Sequence, residues 1–248
     1  MEVNININIP QSWNELTDKQ MKNIGKIFHK KGEAFDLACW LILNDVKAYQ
    51  FRRLQQLKTV MQLVTMTELK NHFSFVYEKN DRHKFIELKG YQKPQDRIFD
   101  LTIEEYAVAD DLNNKFLETG DLNFLRHLVA VLYTKPNEAY DITLQNERAK
   151  RFKFLKGYEL LAIHITWNGC KEYITHRFPK VYPKVKSVQK QAKGKSQKGF
   201  LDVVLQLSGG KFGTYQETKN ELVYTFLSEF ENTITNQEEW KEKLLTKR

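Results

Sequence analysis

Three times in this chain a threonine is followed, three residues on, by glutamine or glutamate at the head of a run of apolar residues spaced for a helix: Thr17/Gln20, Thr102/Glu105 and Thr214/Glu217. In such a capping box the threonine hydroxyl accepts from the N3 amide while the N3 side chain accepts from the cap amide, so two otherwise unpaired N–H groups of a helix start are satisfied together. Leu16 with Met21 and Leu101 with Tyr106 add the hydrophobic staple that sets the angle of entry. "LTDKQM" and "LTIEEY" are therefore one device used twice; the likeness stops after the first turn, so they mark two helix starts and not an internal repeat. A chain signposted in this way folds as a mainly α protein.

The spacing between the caps agrees. "AFDLACWLIL" at 34–43 is apolar nearly all round, which predicts a central helix buried on most faces. Leu54, Leu57, Met61 and Val64, and then Leu69, Phe73, Val76 and Tyr77, follow the one-sided spacing of outer helices. A helix from Thr102 to about Glu118, ended by Gly120, and a second opened by Asp121 over "LNFLRHLVAVLY" predict an αα-hairpin. Residues 143–155 and 157–177 read as two more helices parted near Gly157, with Asn168-Gly169 a point where the second can be interrupted. Only the start departs from this period: "EVNININI" at 2–9 alternates Val3, Ile5, Ile7 and Ile9 with polar residues, the pattern of a half-buried strand, and "HKFIEL" at 83–88 is its candidate partner in a small β element.

Beyond 178 the chain changes character. Pro179 and Pro183 break the helix, and from Tyr173 to Leu201 eight basic residues stand without an acid, so this stretch carries the whole formal charge of +8 and the remainder sums to zero. The expected organisation is a helical domain over 1–178, a basic flexible linker over 179–199 and a C-terminal helical segment over 200–248. That segment contains a helix from Thr214 to about Thr233, with "NQEEWKEKLL" adding a turn or two. At 100° per residue Tyr215, Leu222, Val223, Phe226, Leu227, Phe230 and Ile234 fall in an arc of roughly 140°, with only Lys219 intruding. Such an arc must be covered, either by folding back onto residues 1–178 or by a second copy or a helical client. Leu222, Phe226 and Phe230 are the candidate interface residues.

Chemistry of other kinds finds little footing. Gly194-Lys195-Ser196 copies the tail of a phosphate-binding loop, but Gln189 stands where its first glycine belongs, and "SGGKFGT" at 208–214 is explained as the loop into the Thr214 cap. His164, Cys170 and His176 lie six apart, which on one helix turns them about 120° from each other and away from a common ion. The acidic pairs Glu104/Glu105, Asp110/Asp111 and Glu238/Glu239 sit at helix starts or on polar faces. The residues thus predict a protein with no catalytic activity, no metal and no cofactor.

The two cysteines, Cys39 and Cys170, stand in separate apolar contexts and read as buried thiols of a reducing compartment. No run approaches the ~18 apolar residues that cross a bilayer, and the N-terminus has no secretory pattern, so a cytoplasmic protein without membrane contact is expected. Lys184, Lys186, Lys190, Lys193, Lys195 and Lys198 are candidate phosphate contacts, but with neither arginine nor an aromatic residue among them they predict weak, nonspecific nucleic-acid binding at most.

Three stretches, "IPQSWNELTDKQ", "FDLTIEEYAVAD" and "LRHLVAVLY", resemble proteins encoded among the virion and tail genes of tailed phages and prophages. The matching positions are Pro10, Ser12, Trp13, Leu16, Thr17, Leu101, Thr102, Tyr106, Leu128, Ala130, Leu132 and Tyr133, and the likeness covers about the first 180 residues. It implies a morphogenesis protein of the infected cell's cytoplasm: a tail assembly chaperone or similar factor that holds a tail or other virion structural protein, such as the tape measure, through helical contacts and with possible self-association. It offers no functional residue to carry over. The alternative expectation is a phage nucleic-acid-binding protein using the lysine stretch.

Overall fold

The structure, a computed structural model, describes residues 9–46, 49–183 and 213–246. The protein is mainly α, with ten α-helices among the described residues. The strand expected at 2–9 lies outside them except for its last residue, Ile9, which is buried; residues 83–88 have no regular secondary structure. By its contacts the chain divides into two compact units, Met1–Glu87 with Phe154–Gly169, and Leu88–Lys153 with Cys170–Arg248.

The first unit contains α1 (Asp18–Ile27), α2 (Glu33–Leu43), α3 (Phe51–Leu63), α4 (Met66–Asn71) and the opening residues of α8 (Gly157–Arg177). Thr17 and Gln20 cap α1 as the sequence predicts, and the same box at Thr65/Glu68 caps α4. α1 packs on α2 and α2 on α4. The short 3-10 turn Trp13–Glu15 is fastened to the chain around residue 80: Trp13 Nε1 donates to the Phe75 carbonyl at 2.9 Å, and His83 N–H to Asn14 Oδ1 at 2.9 Å. Arg82, almost wholly buried, completes this join by donating through one terminal nitrogen to the carbonyls of Trp13 and Leu16 at 2.7 and 2.8 Å. The Trp13 carbonyl also accepts from the Leu16 amide at 3.4 Å, so Arg82 supplies its second donor; an unsatisfied buried carbonyl costs about 1–3 kcal/mol.

The helix with a stretch buried on every face is α8 and not α2. In α2 burial follows Asp36, Cys39, Trp40 and Leu43, an i, i+3, i+4, i+7 face, while Leu41 reaches solvent. In α8, Leu160 and every residue from Ala162 to Trp167 are buried, including His164 and Thr166. The polar residues there are satisfied within the helix: Thr166 donates its hydroxyl to the Ala162 carbonyl at 3.1 Å, and the Asn168 amide meets His164 Nε2 at 3.1 Å. Apolar composition alone therefore misplaced the central helix. α8 also runs through Asn168-Gly169 without interruption. Gly169 is needed there for space, because a Cβ at that position would collide with the backbone of Arg82, as one at Gly25 would with the backbone of Tyr158.

The second unit is built on the predicted αα-hairpin of α5 (Ile103–Thr119) and α6 (Leu122–Leu132). Gly120 takes the left-handed conformation (φ 71°) that ends α5, and the Asp121 carboxylate accepts from the Asn123 amide at 2.8 Å to open α6. Leu125, Leu128, Val129 and Leu132 are buried as their spacing predicts. The helix expected at 143–155 is shorter: a 3-10 turn, Ile142–Leu144, leads into α7 (Gln145–Lys150), and turns follow.

The helix expected from Thr214 to Thr233 is in fact two. α9 (Tyr215–Asn220) starts at the Thr214/Glu217 box, the chain extends at Glu221 and Leu222, and α10 (Val223–Thr246) begins afresh. The break has a backbone cause. Ile103 N–H, unpaired at the start of α5, donates to the Glu221 carbonyl at 2.9 Å, and Val223 N–H donates to the Leu101 carbonyl at 3.0 Å. Two backbone groups left over by one helix start are thus met by the gap between two others.

Candidate partner interface

The gap between α9 and α10 divides the C-terminal apolar stripe. Val223, Phe226 and Leu227 are core residues of the second unit, Phe226 being 1% exposed. Phe230 is half-buried with its ring 6.1 Å from that of Phe226, and Leu222, on the extended connection, is 43% exposed. Of the three candidate interface residues, then, Phe226 is covered by the chain itself while Leu222 and Phe230 keep accessible surface. The wheel placed all three in one arc because it assumed a continuous helix.

α10 has two distinct halves. Its first turns bury Val223, Phe226 and Leu227, whereas Asn236 to Glu242 are exposed. On one side of this distal half the chain near residue 180 is attached: Lys180 N–H donates to Glu231 at 3.1 Å, and its ammonium reaches Thr235 Oγ1 and Glu238 Oε2, both at 2.9 Å. Thr233, Asn236, Gln237, Trp240 and Lys241, spaced by three and four, share a face that lines a shallow cleft of about 330 Å³. Trp240 is 70% exposed, a large apolar ring framed by polar residues. The apolar arc read from the sequence stops at Ile234 and passes over Trp240; a tryptophan in the otherwise charged extension "NQEEWKEK" was the available signal.

The six lysines from Lys184 to Lys198 lie outside the described residues. His164 is buried against the edge of the Phe28 ring, Cys170 is buried, and His176 is exposed. Among the described residues no group of three or more His, Cys, Asp and Glu is placed to hold a metal ion, and no helix is long and apolar enough to cross a membrane.

Among the described residues several buried or half-buried charges meet an opposite charge or an aromatic ring. In the first unit Asp36 accepts from the Tyr77 hydroxyl and meets the Lys70 ammonium at 2.6 Å, and Lys70 also lies over the Tyr77 ring. In the second unit Arg148 is buried with its guanidinium 5.1 Å from the Tyr140 ring, and Lys219 bridges to Glu104 at 3.1 Å. Burial pushes the Glu105 carboxyl above the usual range, outweighing the Thr102 amide and hydroxyl that lower it. The Asp36–Lys70 and Lys219–Glu104 pairs join helices within each unit.

The chain matches no family model, no curated protein and no solved structure.

Proposed function

We propose that this is a non-enzymatic phage or prophage morphogenesis protein, a tail assembly chaperone or similar assembly factor, that holds a helical virion component against α10. The reading joins the likeness of its first 180 residues to virion-region proteins with one structural observation: the distal half of α10 carries an exposed Trp240 beside a shallow cleft, on a helix whose other end is anchored in the core. Tryptophan is enriched at binding hot spots because it supplies a large contact area with few rotatable bonds. A helical partner could set an apolar side chain into the cleft along the Thr233, Asn236 and Gln237 face while Lys241 meets an acid on it.

The test is affinity capture from prophage-induced cells with the full chain and with Trp240→Glu. The expected result is that the parent retains a virion structural protein such as the tape measure, and that Trp240→Glu loses it while keeping the parent's circular dichroism and melting temperature. Capture of no virion protein, or equal capture by both chains, overturns the proposal. The local charge of +8 favours a second reading, nonspecific nucleic-acid binding. It predicts captured material that nuclease removes and that is lost when the six lysines become glutamine.

A further inference from the structure

A second concave site lies on α6 and α7, and its chemistry is the opposite of the Trp240 cleft. On α6 the apolar positions face the core, which leaves Asn123, Arg126 and His127, spaced by three and four, on the outer face. The Gln145 side chain donates to the His127 carbonyl at 2.7 Å and ties the start of α7 to that face. Asn146 and Lys150 of α7, with Lys153 of the following turn, then complete a cleft of about 740 Å³. This is the size of a small-ligand pocket and larger than loose packing produces.

The lining is rich in donors. Arg126, Lys150 and Lys153 are permanent cations against one carboxylate, Glu147, a net charge of +2. Glu147 is engaged with Lys150 at 2.6 Å. Arg126 is held by Asn123, whose Oδ1 accepts from one terminal nitrogen at 3.0 Å, and its buried Nε has no hydrogen-bond partner among the described residues. The guanidinium is thus fixed at one corner by Asn123, which orients its charge along the cleft for contact with an oxyanion. Burial lowers the His127 pKa, which favours the neutral ring.

We infer that the cleft between α6 and α7 is a binding site for a phosphoryl-bearing small ligand, with Arg126 and Lys153 as its principal anion contacts. Phosphoryl fits better than carboxylate because the donors outnumber the two acceptor oxygens that a carboxylate presents, and because they approach from two helices and a turn. The residues named here are none of the six lysines and none of α10, so the inference does not depend on the function proposed above.

The probe is pyrophosphate, titrated calorimetrically into a full-length chain whose six lysines from 184 to 198 are glutamine, so that the stretch contributes nothing. One pyrophosphate per chain is expected, weakened roughly tenfold or more by Arg126→Gln and by Lys153→Gln, each removing a charge-assisted contact. Lys153 is exposed, so its replacement does not threaten the fold. Acetate, which presents only two oxygens, is expected to compete poorly. Absence of stoichiometric binding, or binding indifferent to both replacements, overturns the site, and equal competition by acetate overturns its phosphoryl assignment.

Discussion

Thr102 and Leu222 pair across an isolated antiparallel bridge, joining the start of α5 to the break between α9 and α10. The Thr102 cap is consequently both a local and a tertiary device. Its hydroxyl accepts from the Glu105 amide inside the helix, and the residues on either side of it exchange backbone hydrogen bonds with Glu221 and Val223. Thr102→Ala is expected to cost about 1 kcal/mol and Thr102→Ser much less, since serine keeps the accepting oxygen. Urea unfolding of the three chains gives the comparison, and equal midpoints would contradict the capping role.

The carboxyl that completes this cap sets a pH dependence. The folded-state pKa of Glu105 is raised by burial, so between its ordinary value and the raised one the folded chain binds more protons than the unfolded chain. Stability contributed by this group therefore falls as pH rises through that window. Asp100, raised by burial as well, acts in the same direction. Glu105→Gln keeps an accepting oxygen for the Thr102 amide, as Gln20 does for Thr17, without a charge to bury. Its unfolding free energy is expected to fall less steeply than the parent's as pH rises above the ordinary carboxylate value of 4.5. A parent whose slope is unchanged by the replacement would show that Glu105 is not the titrating group.

Gly25 and Gly169 should tolerate no side chain. A methyl group at either position meets main chain and not a flexible side-chain end, so the neighbouring segment itself has to move. Overpacking of this kind typically costs about 1–3 kcal/mol. In an exposed helix the same Gly→Ala change would stabilise by up to ~1 kcal/mol, so the sign of the effect, read from thermal melts, decides between close packing and open space.

The divided stripe predicts unequal effects along it. Phe226→Ser removes a buried ring and is expected to destabilise by about 3–5 kcal/mol. Leu222→Ser, at a position 43% exposed, should cost much less, about 1 kcal/mol. Similar losses at the two positions would mean that Leu222 is covered in solution, which sedimentation of the parent would then report as self-association.

Both thiols should be silent in the folded protein. Burial, helped by the nearby Asp36 carboxylate, pushes the Cys39 thiol up to about 12, so at pH 8 only roughly one in ten thousand is thiolate. Cys170 is fully buried. An aromatic disulfide reagent is expected to release no colour from the native chain and two equivalents after unfolding in guanidinium. Rapid native labelling of Cys39 would be evidence that α2 opens readily.

What the sequence determined by itself was local. The three capping boxes it displayed are all formed, and a fourth, Thr65/Glu68, was legible in "TMTE" by the same rule. The ends of α5 and α6 were likewise readable at Gly120 and Asp121, because caps and left-handed turns depend on residues within one turn of each other. The mainly α class follows from these signals together with the 3.6-residue period.

Tertiary structure decided which of several apolar faces became core. α2 and α8 could not be ranked from composition, since burial of α8 depends on Gly169 letting the Arg82 backbone approach and on hydrogen bonds that satisfy Thr166 and Asn168 inside the helix. The split between α9 and α10 was equally hidden. Periodicity across Glu221 and Leu222 is helical, yet these residues extend because the unpaired amide of Ile103 and the carbonyl of Leu101, far away in sequence, offer them backbone partners. The cleft lined by Arg126 and Lys153 arises in the same way: concavity belongs to the arrangement of helices, and no stretch of sequence carries it.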